Sequence, residues 1–228
     1  MLISHHVLPE PDRRNEPLST IEALGVVPVI EIDNEADAVP LARTLTGAGL
    51  PVVEITLRTP TAVDAIARIA AECSECLVGA GTLLTAEMVR AAAEAGARFG
   101  VSPGLSAACL SAATEYGLPY IPGVVTPSEA MAAVDAGLRR LKFFPAAAYG
   151  GPPTIRALAA PLAATGVRFL PTGGVTAGNA ADYLSLSCVF AVGGTWLAPR
   201  SDIAAGRWDD IAARVRAVAD IRARVEAR

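Results

Sequence analysis

From Val26 onward, short runs rich in Val, Ile and Phe alternate with longer Ala-rich stretches of helical character. The apolar runs predict strands at Val26–Ile32, Val52–Leu57, Cys76–Gly81, Arg98–Ser102, Pro119–Val124, Arg139–Pro145, Arg168–Thr172 and Val189–Gly193. The stretches between them predict helices starting near Glu35, Thr61, Ala86, Ser106, Pro127, Thr154 and Gly178, with a last one near Asp209. Asn34, Thr85 and Ser201 are N-cap residue types, and Pro127 suits a first helical turn. Gly49, Gly96, Gly117 and Gly137 read as helix stops. Eight strand–helix repeats predict an α/β fold, a (β/α)8 TIM barrel with a short N-terminal helix around Leu18–Leu24. A doubly wound open sheet shares this alternation, but no G-x-G-x-x-G follows the first strand. Residues 1–17 read as an N-terminal tail and 18–228 as one barrel domain.

Polar residues inside the apolar runs carry the chemistry. On the second strand Glu54, Thr56 and Arg58 are spaced by two and share one face, opposite Val53, Ile55 and Leu57. On the sixth, Lys142 and Phe144 share a face, opposite Leu141 and Phe143. With the polar faces inward, Lys142 and Glu54 point into one barrel mouth, where the chemistry of such barrels lies. The Glu–Arg pair serves equally well as a strand-end salt bridge. The third strand ends Gly79-Ala80-Gly81-Thr82, either a hydroxyl donor to a substrate carboxylate or a Thr-capped turn. Strands seven and eight end in Thr172-Gly173-Gly174 and Gly193-Gly194-Thr195. Paired glycines let backbone N–H groups approach phosphate oxygens, and barrels often bind phosphate in these two loops beside a helix N-terminus. Plain turns are the other reading.

Composition sharpens the view of Lys142. It is the only lysine among 19 Lys+Arg, where a chain of this length ordinarily carries about a dozen. A desolvated lysine can act as an amine nucleophile toward a carbonyl, which arginine cannot. The alternative is a stray lysine whose head snorkels to solvent. The only histidines are His5 and His6, so a Ser-His-Asp site or a His-liganded catalytic metal would have to recruit the N-terminal segment. Cys73-Ser-Glu-Cys76 lacks the second pair that a zinc site wants, and reduced thiols are expected. A net charge of −4 with no basic block argues against nucleic acid. No apolar run has transmembrane length and no secretory pattern opens the chain, so a cytoplasmic enzyme without membrane contact is expected.

In order, the chain carries Val26-Val27-Pro28-Val29-Ile30, Glu54-Ile55-Thr56-Leu57-Arg58-Thr59, Val78-Gly79-Ala80-Gly81-Thr82 and Ser102-Pro103-Gly104-Leu105. It continues with Ile121-Pro122-Gly123, Lys142-Phe143-Phe144-Pro145-Ala146, Pro171-Thr172-Gly173-Gly174 and Val192-Gly193-Gly194-Thr195-Trp196-Leu197. This ordered set, over roughly residues 18–215, resembles the class I 2-keto-3-deoxy-6-phosphogluconate (KDPG) / 4-hydroxy-2-oxoglutarate (KHG) aldolases. The resemblance implies a homotrimer of (β/α)8 barrels that cleaves a small 2-keto acid. KDPG would give pyruvate and glyceraldehyde 3-phosphate; 4-hydroxy-2-oxoglutarate would give pyruvate and glyoxylate. It implies Lys142 as the Schiff-base residue and Glu54 as general acid/base, with Arg58 and Thr82 near the pyruvate carboxylate. Pro103 and Phe144 would line the pocket, Thr172 would meet substrate hydroxyls, and Gly173, Gly174, Gly193, Gly194 and Thr195 would cradle phosphate. No metal or cofactor is called for, because the iminium is the electron sink. Ala146-Ala147-Ala148-Tyr149 departs from the acidic residue common in the family, and Thr195 stands where Ser is common. A phosphogalactonate aldolase, a phosphosugar isomerase or epimerase, and a non-catalytic phosphometabolite-binding barrel are the competing readings.

Overall fold

The computed structural model describes residues 16–226. Most of the expected N-terminal tail, with His5 and His6, lies outside the described residues. The first helix spans Glu16–Leu24 and so begins two residues before the expected tail boundary. Its buried Pro17 and Ile21 anchor it to the core.

The fold is mixed α/β, with every strand pair parallel. Strands β1 (Val26–Ile30), β2 (Val52–Thr56), β3 (Leu77–Gly81), β4 (Gly100–Val101), β5 (Tyr120–Ile121) and β9 (Val192–Gly194) form one sheet in the order β5-β4-β3-β2-β1-β9. Strands β6 (Gly123–Val124), β7 (Arg140–Phe143) and β8 (Arg168–Pro171) form a second. The expected fifth strand is divided into β5 and β6 at Pro122, which has no N–H to give a ladder. Its carbonyl still accepts from Lys142 N at 2.8 Å. Most observed strands are shorter than expected, trimmed at one or both ends, and β9 starts three residues later and ends one residue later than expected.

Helices cover the strands, as short parallel crossovers require. Asn34, Thr85 and Ser106 cap the segments they precede, accepting from the N–H groups of Ala36, Met88 and Cys109. Thr126 and Glu129 form a full capping box ahead of Pro127. Gly49, Gly96, Gly117 and Gly137 all have positive φ at helix ends. Ser201 is not an N-cap: it lies inside Arg200–Ala204, which Pro199 precedes. The helix expected near Thr154 starts at Gly151, since both prolines of Gly151-Pro152-Pro153 fit a first turn. One continuous core holds Phe99, Phe143 and Phe169 fully buried. No helix among the described residues is long and apolar enough to cross a membrane. Cys73 and Cys76 are buried and unbridged, and burial pushes the Cys76 thiol up to about 12.

Candidate active site

The C-terminal strand ends surround a cavity of about 310 Å³. Glu54 reaches it from the middle of β2, where the backbone is level with Val29 of β1 and Gly79 of β3. Lys142 reaches it from β7, level with Gly123 and Leu170. Lys142 Nζ lies 3.7 Å from Glu54 Oε1, with the side chains 7% and 0% exposed. The Lys142 ammonium position is also 4.9 Å from the centre of the Phe144 ring, a cation–π distance.

Two features of this cavity are unusual for the surroundings of a structural ion pair. Neither Glu54 carboxylate oxygen has a hydrogen-bond partner among the described residues, and the Thr172 hydroxyl in the same cavity has none either. Buried polar atoms are nearly always satisfied, and an orphan costs about 1–3 kcal/mol. Three such atoms converging on one cavity mark a surface built for a polar ligand. Thr56 differs, because its hydroxyl donates to the Ile30 carbonyl at 3.0 Å and ties β2 to β1.

Glycine makes room for this arrangement. A Cβ on Gly81 would collide with Glu54 Oε1 and lie 2.8 Å from both its Cδ and Cγ. The next residue, Thr82, borders the cavity with φ of 61°, a left-handed conformation that costs a β-branched residue about 1–3 kcal/mol. The two glycine pairs have different local reasons. Gly173 and Gly174 have φ of 91° and 78°, and the loop after β7 packs on them. Ala146 N and Ala147 N donate to the Thr172 and Gly173 carbonyls at 2.8 and 2.9 Å. Gly193 and Gly194 have no positive φ; a Cβ on Gly193 would lie 2.5 Å from Thr172 Oγ1, and one on Gly194 would strike the Trp196 ring. The helices that follow are single turns of 5 residues, Ala180–Leu184 and Arg200–Ala204, so any anion here would meet loop N–H groups rather than a long helix dipole.

Lys142, Glu54, Arg58, Thr82, Phe144, Thr172, Gly173, Gly174, Gly194 and Thr195 all border the cavity. Pro103 and Gly193 do not. The Pro103 carbonyl instead packs over Gly123, where a Cβ would clash, and Gly193 lies behind Thr172. Three bordering residues were not anticipated from sequence: Val29, Glu31 and Val175. Glu31 had a legible signal. It stands two positions after Val29, so strand alternation puts both on one face. Arg58 lies at the rim with its side chain 52% exposed, and its Nη1 donates to Glu31 Oε1 at 2.8 Å.

A buried lysine beside a buried carboxylate, on a parallel α/β scaffold, has the groups that an enzyme acting on carbonyl compounds through an amine nucleophile needs. Similarity to known proteins narrows this class. The family described as "KDPG and KHG aldolase" matches residues 18–214. The KHG/KDPG aldolase of Escherichia coli K12 is 48% identical over 82% of this chain and 86% of its own. The 2-dehydro-3-deoxy-phosphogluconate aldolase of Dickeya dadantii is 47% identical over 84% and 89%. Among solved structures, the KDPG aldolase of Legionella pneumophila, with pyruvate captured as a covalent carbinolamine, superposes with a TM-score of 0.85. That similarity runs at 39% identity over 89% of this chain and 98% of the other. The chain therefore belongs to the KDPG/KHG aldolase family, and it is a lyase of the aldolase type.

Proposed function

We propose that this aldolase works through a Schiff base on Lys142 and cleaves KDPG to pyruvate and glyceraldehyde 3-phosphate, with 4-hydroxy-2-oxoglutarate as a second substrate. The observation that carries the proposal is the Lys142–Glu54 pair, 3.7 Å apart and buried in one cavity. Lys142 Nζ attacks the C2 ketone, and Glu54 relays protons as the carbinolamine loses water. Glu54 then takes the C4 hydroxyl proton. The C3–C4 bond breaks, its electron pair passes to the iminium, and the aldehyde departs. Glu54 returns a proton to C3 of the enamine, and water hydrolyses the resulting iminium to free pyruvate and Lys142. Each proton thus moves through one carboxylate within reach of the reacting atoms.

In this reading Arg58 and Thr82 hold the keto-acid carboxylate and fix C2 near Nζ. Phe144 packs against the reacting lysine, and Thr172, whose hydroxyl has no partner among the described residues, meets a substrate hydroxyl. Gly173, Gly174, Gly194 and Thr195 receive the phosphate, with Gly193 supporting Thr172 from behind. Pro103 supports the wall at one remove, through its packing on Gly123. The two sheets are read as arcs of one (β/α)8 barrel. Supporting this, β5 and β6 are separated only by Pro122, and bridges Phe169–Val189 and Thr172–Gly193 link the β8 region to the β9 region. Assembly as a homotrimer and a cytoplasmic location belong to the same reading.

The test is borohydride trapping with pyruvate, followed by intact mass and peptide mapping. A reduced adduct on Lys142 is expected. Folded protein that forms no adduct, or forms it on another amine, would overturn the assignment.

A further inference from the structure

Arg58 and Glu31, which border the cavity, begin a row of four alternating charges that continues with Arg200 and Asp33. Glu31 stands at the centre. Its Oε1 accepts from Arg58 Nη1 at 2.8 Å and its Oε2 from Arg200 Nη1 at 3.0 Å. Arg200 is then locked from the far side. Its Nε donates to Asp33 Oδ2 at 2.6 Å, and its Nη2 to Asp33 Oδ1. The Arg200 guanidinium raises no doubt about the charge of Asp33, whose carboxyl the Arg200 hydrogen bonds hold below its ordinary range.

The two arginines are used alike up to a point. Each gives Nη1 to Glu31, and Arg200 gives its Nε–Nη2 edge to a carboxylate in a fork, the geometry that suits guanidinium and carboxylate best. The Nε–Nη2 edge of Arg58 has no acceptor among the described residues, and Arg58 borders the cavity. Arg58 is also long and 52% exposed, so without Glu31 it would sample many rotamers.

We propose that Glu31 is a positioning residue: clamped by Arg200 and Asp33, it holds Arg58 by Nη1 and aims the Nε–Nη2 edge at the carboxylate of the 2-keto acid. The inference rests on the aldolase reading and adds to it a specific ladder outside the reacting groups. Its effect is confined to the carboxylate end of the substrate. It acts on how tightly the keto acid is held, because Glu31 touches neither Lys142 nor Glu54 by any hydrogen bond or ion pair among the described residues.

The experiment measures pyruvate half-saturation in borohydride trapping, together with steady-state aldol addition of pyruvate to glyceraldehyde 3-phosphate. The variants are Glu31→Ala, Glu31→Gln, Arg200→Ala and the double Glu31→Ala/Arg200→Ala. Glu31→Ala should raise the pyruvate KM and trapping half-saturation about fivefold, the scale of one partly exposed charge-assisted contact. Its kcat should stay within about twofold and its KM for the aldehyde should not move. Arg200→Ala should shift pyruvate in the same direction by less, and the double variant should be no worse than Glu31→Ala alone. Glu31→Gln, which keeps an oxygen for Arg58, should recover part of the loss. An unchanged pyruvate KM in Glu31→Ala would overturn the proposal. So would a lower one, which would make Glu31 a competitor of the substrate for Arg58. Wild-type protein that traps no pyruvate would remove the aldolase reading and this inference together, whereas trapping without the Glu31 effect would remove this inference alone.

Discussion

Gly81→Ala tests whether the third strand carries glycine for a turn or for the neighbour across the sheet. Gly81 has no positive φ, so alanine meets no backbone penalty. What alanine meets is Glu54. Its Cβ would collide with Oε1 and lie 2.8 Å from Cδ and Cγ. Restoring ordinary contact requires the carboxylate to move by about 1 Å or the strands to part. Glu54 is fully buried, so the open direction is the cavity itself, where a displaced carboxylate takes the space of the substrate and leaves its place beside Lys142. A misplacement of this size costs about 10²-fold in rate, and loss of a general acid/base costs about 10²–10⁴-fold. We expect kcat to fall by about 10²-fold or more. Overpacking should cost about 1–3 kcal/mol of stability, within what a typical domain tolerates. The assay couples pyruvate release to lactate dehydrogenase and corrects for the folded fraction by thermal melting. Gly100→Ala is the control, since it crowds Leu83 Cδ1 at 2.7 Å and Leu118 Cδ2 at 3.0 Å but not Glu54. It should lose stability and keep its turnover. A folded Gly81→Ala enzyme within threefold of wild-type kcat would refute the reasoning, because Glu54 would then be free to move or not needed.

Three further outcomes are expected. Lys142→Arg should abolish aldol cleavage and pyruvate trapping while leaving the fold intact, since a guanidinium forms no iminium; measurable turnover in a coupled assay would contradict the assigned role. Thr172→Val replaces a buried hydroxyl, unpartnered among the described residues, by a methyl of similar shape; melting should rise by about 2–4 °C per kcal/mol recovered while kcat/KM for KDPG falls. Asp202 is held below the ordinary carboxyl range, first by its hydrogen bond to Arg207 and then by burial-opposed bonds to Arg214. A lowered folded value contributes stability above the unfolded value and loses it as pH falls through the folded one. Asp202→Asn should therefore melt lower than wild type at neutral pH, and the gap should close below about pH 4. A gap that persists in acid would show that shape, not charge, is what Asp202 supplies.

How much of this was legible beforehand differs by element. The helix caps at Asn34, Thr85 and the Pro127 turn follow from side chains bonding N–H groups two or three residues away, so they could be read locally. The faces of β2 and β7 were legible for the same reason, since alternation along a strand is a local property. The strand lengths were not. Phe144 and Pro145 stay apolar past Phe143, yet Phe143 is the last residue of β7. Pro122 was visible as a residue, whereas its effect depends on its missing N–H falling where a ladder needs a donor. Ser201 has a capping side chain, yet the helix starts one residue earlier and its hydroxyl is 3.4 Å from Asp202 Oδ1 instead.

Sequence alone determined the order of strands and helices, the faces that Glu54 shares with Thr56 and Arg58 and Lys142 with Phe144, and the chemical identity of the single lysine. Periodicity and residue type carry that information without reference to anything distant. Tertiary structure decided the rest. It brought Lys142 within 3.7 Å of Glu54, 142 − 54 = 88 positions away. It used Gly81 to clear space for that carboxylate and left the Thr172 hydroxyl without a partner among the described residues. It also joined Arg200 to Glu31 across 169 positions and Arg58 to the same carboxylate across 27. Such distances are set by how parallel strands register and curl around a shared interior. That is a property of the assembled sheet, and no local pattern along the chain encodes it.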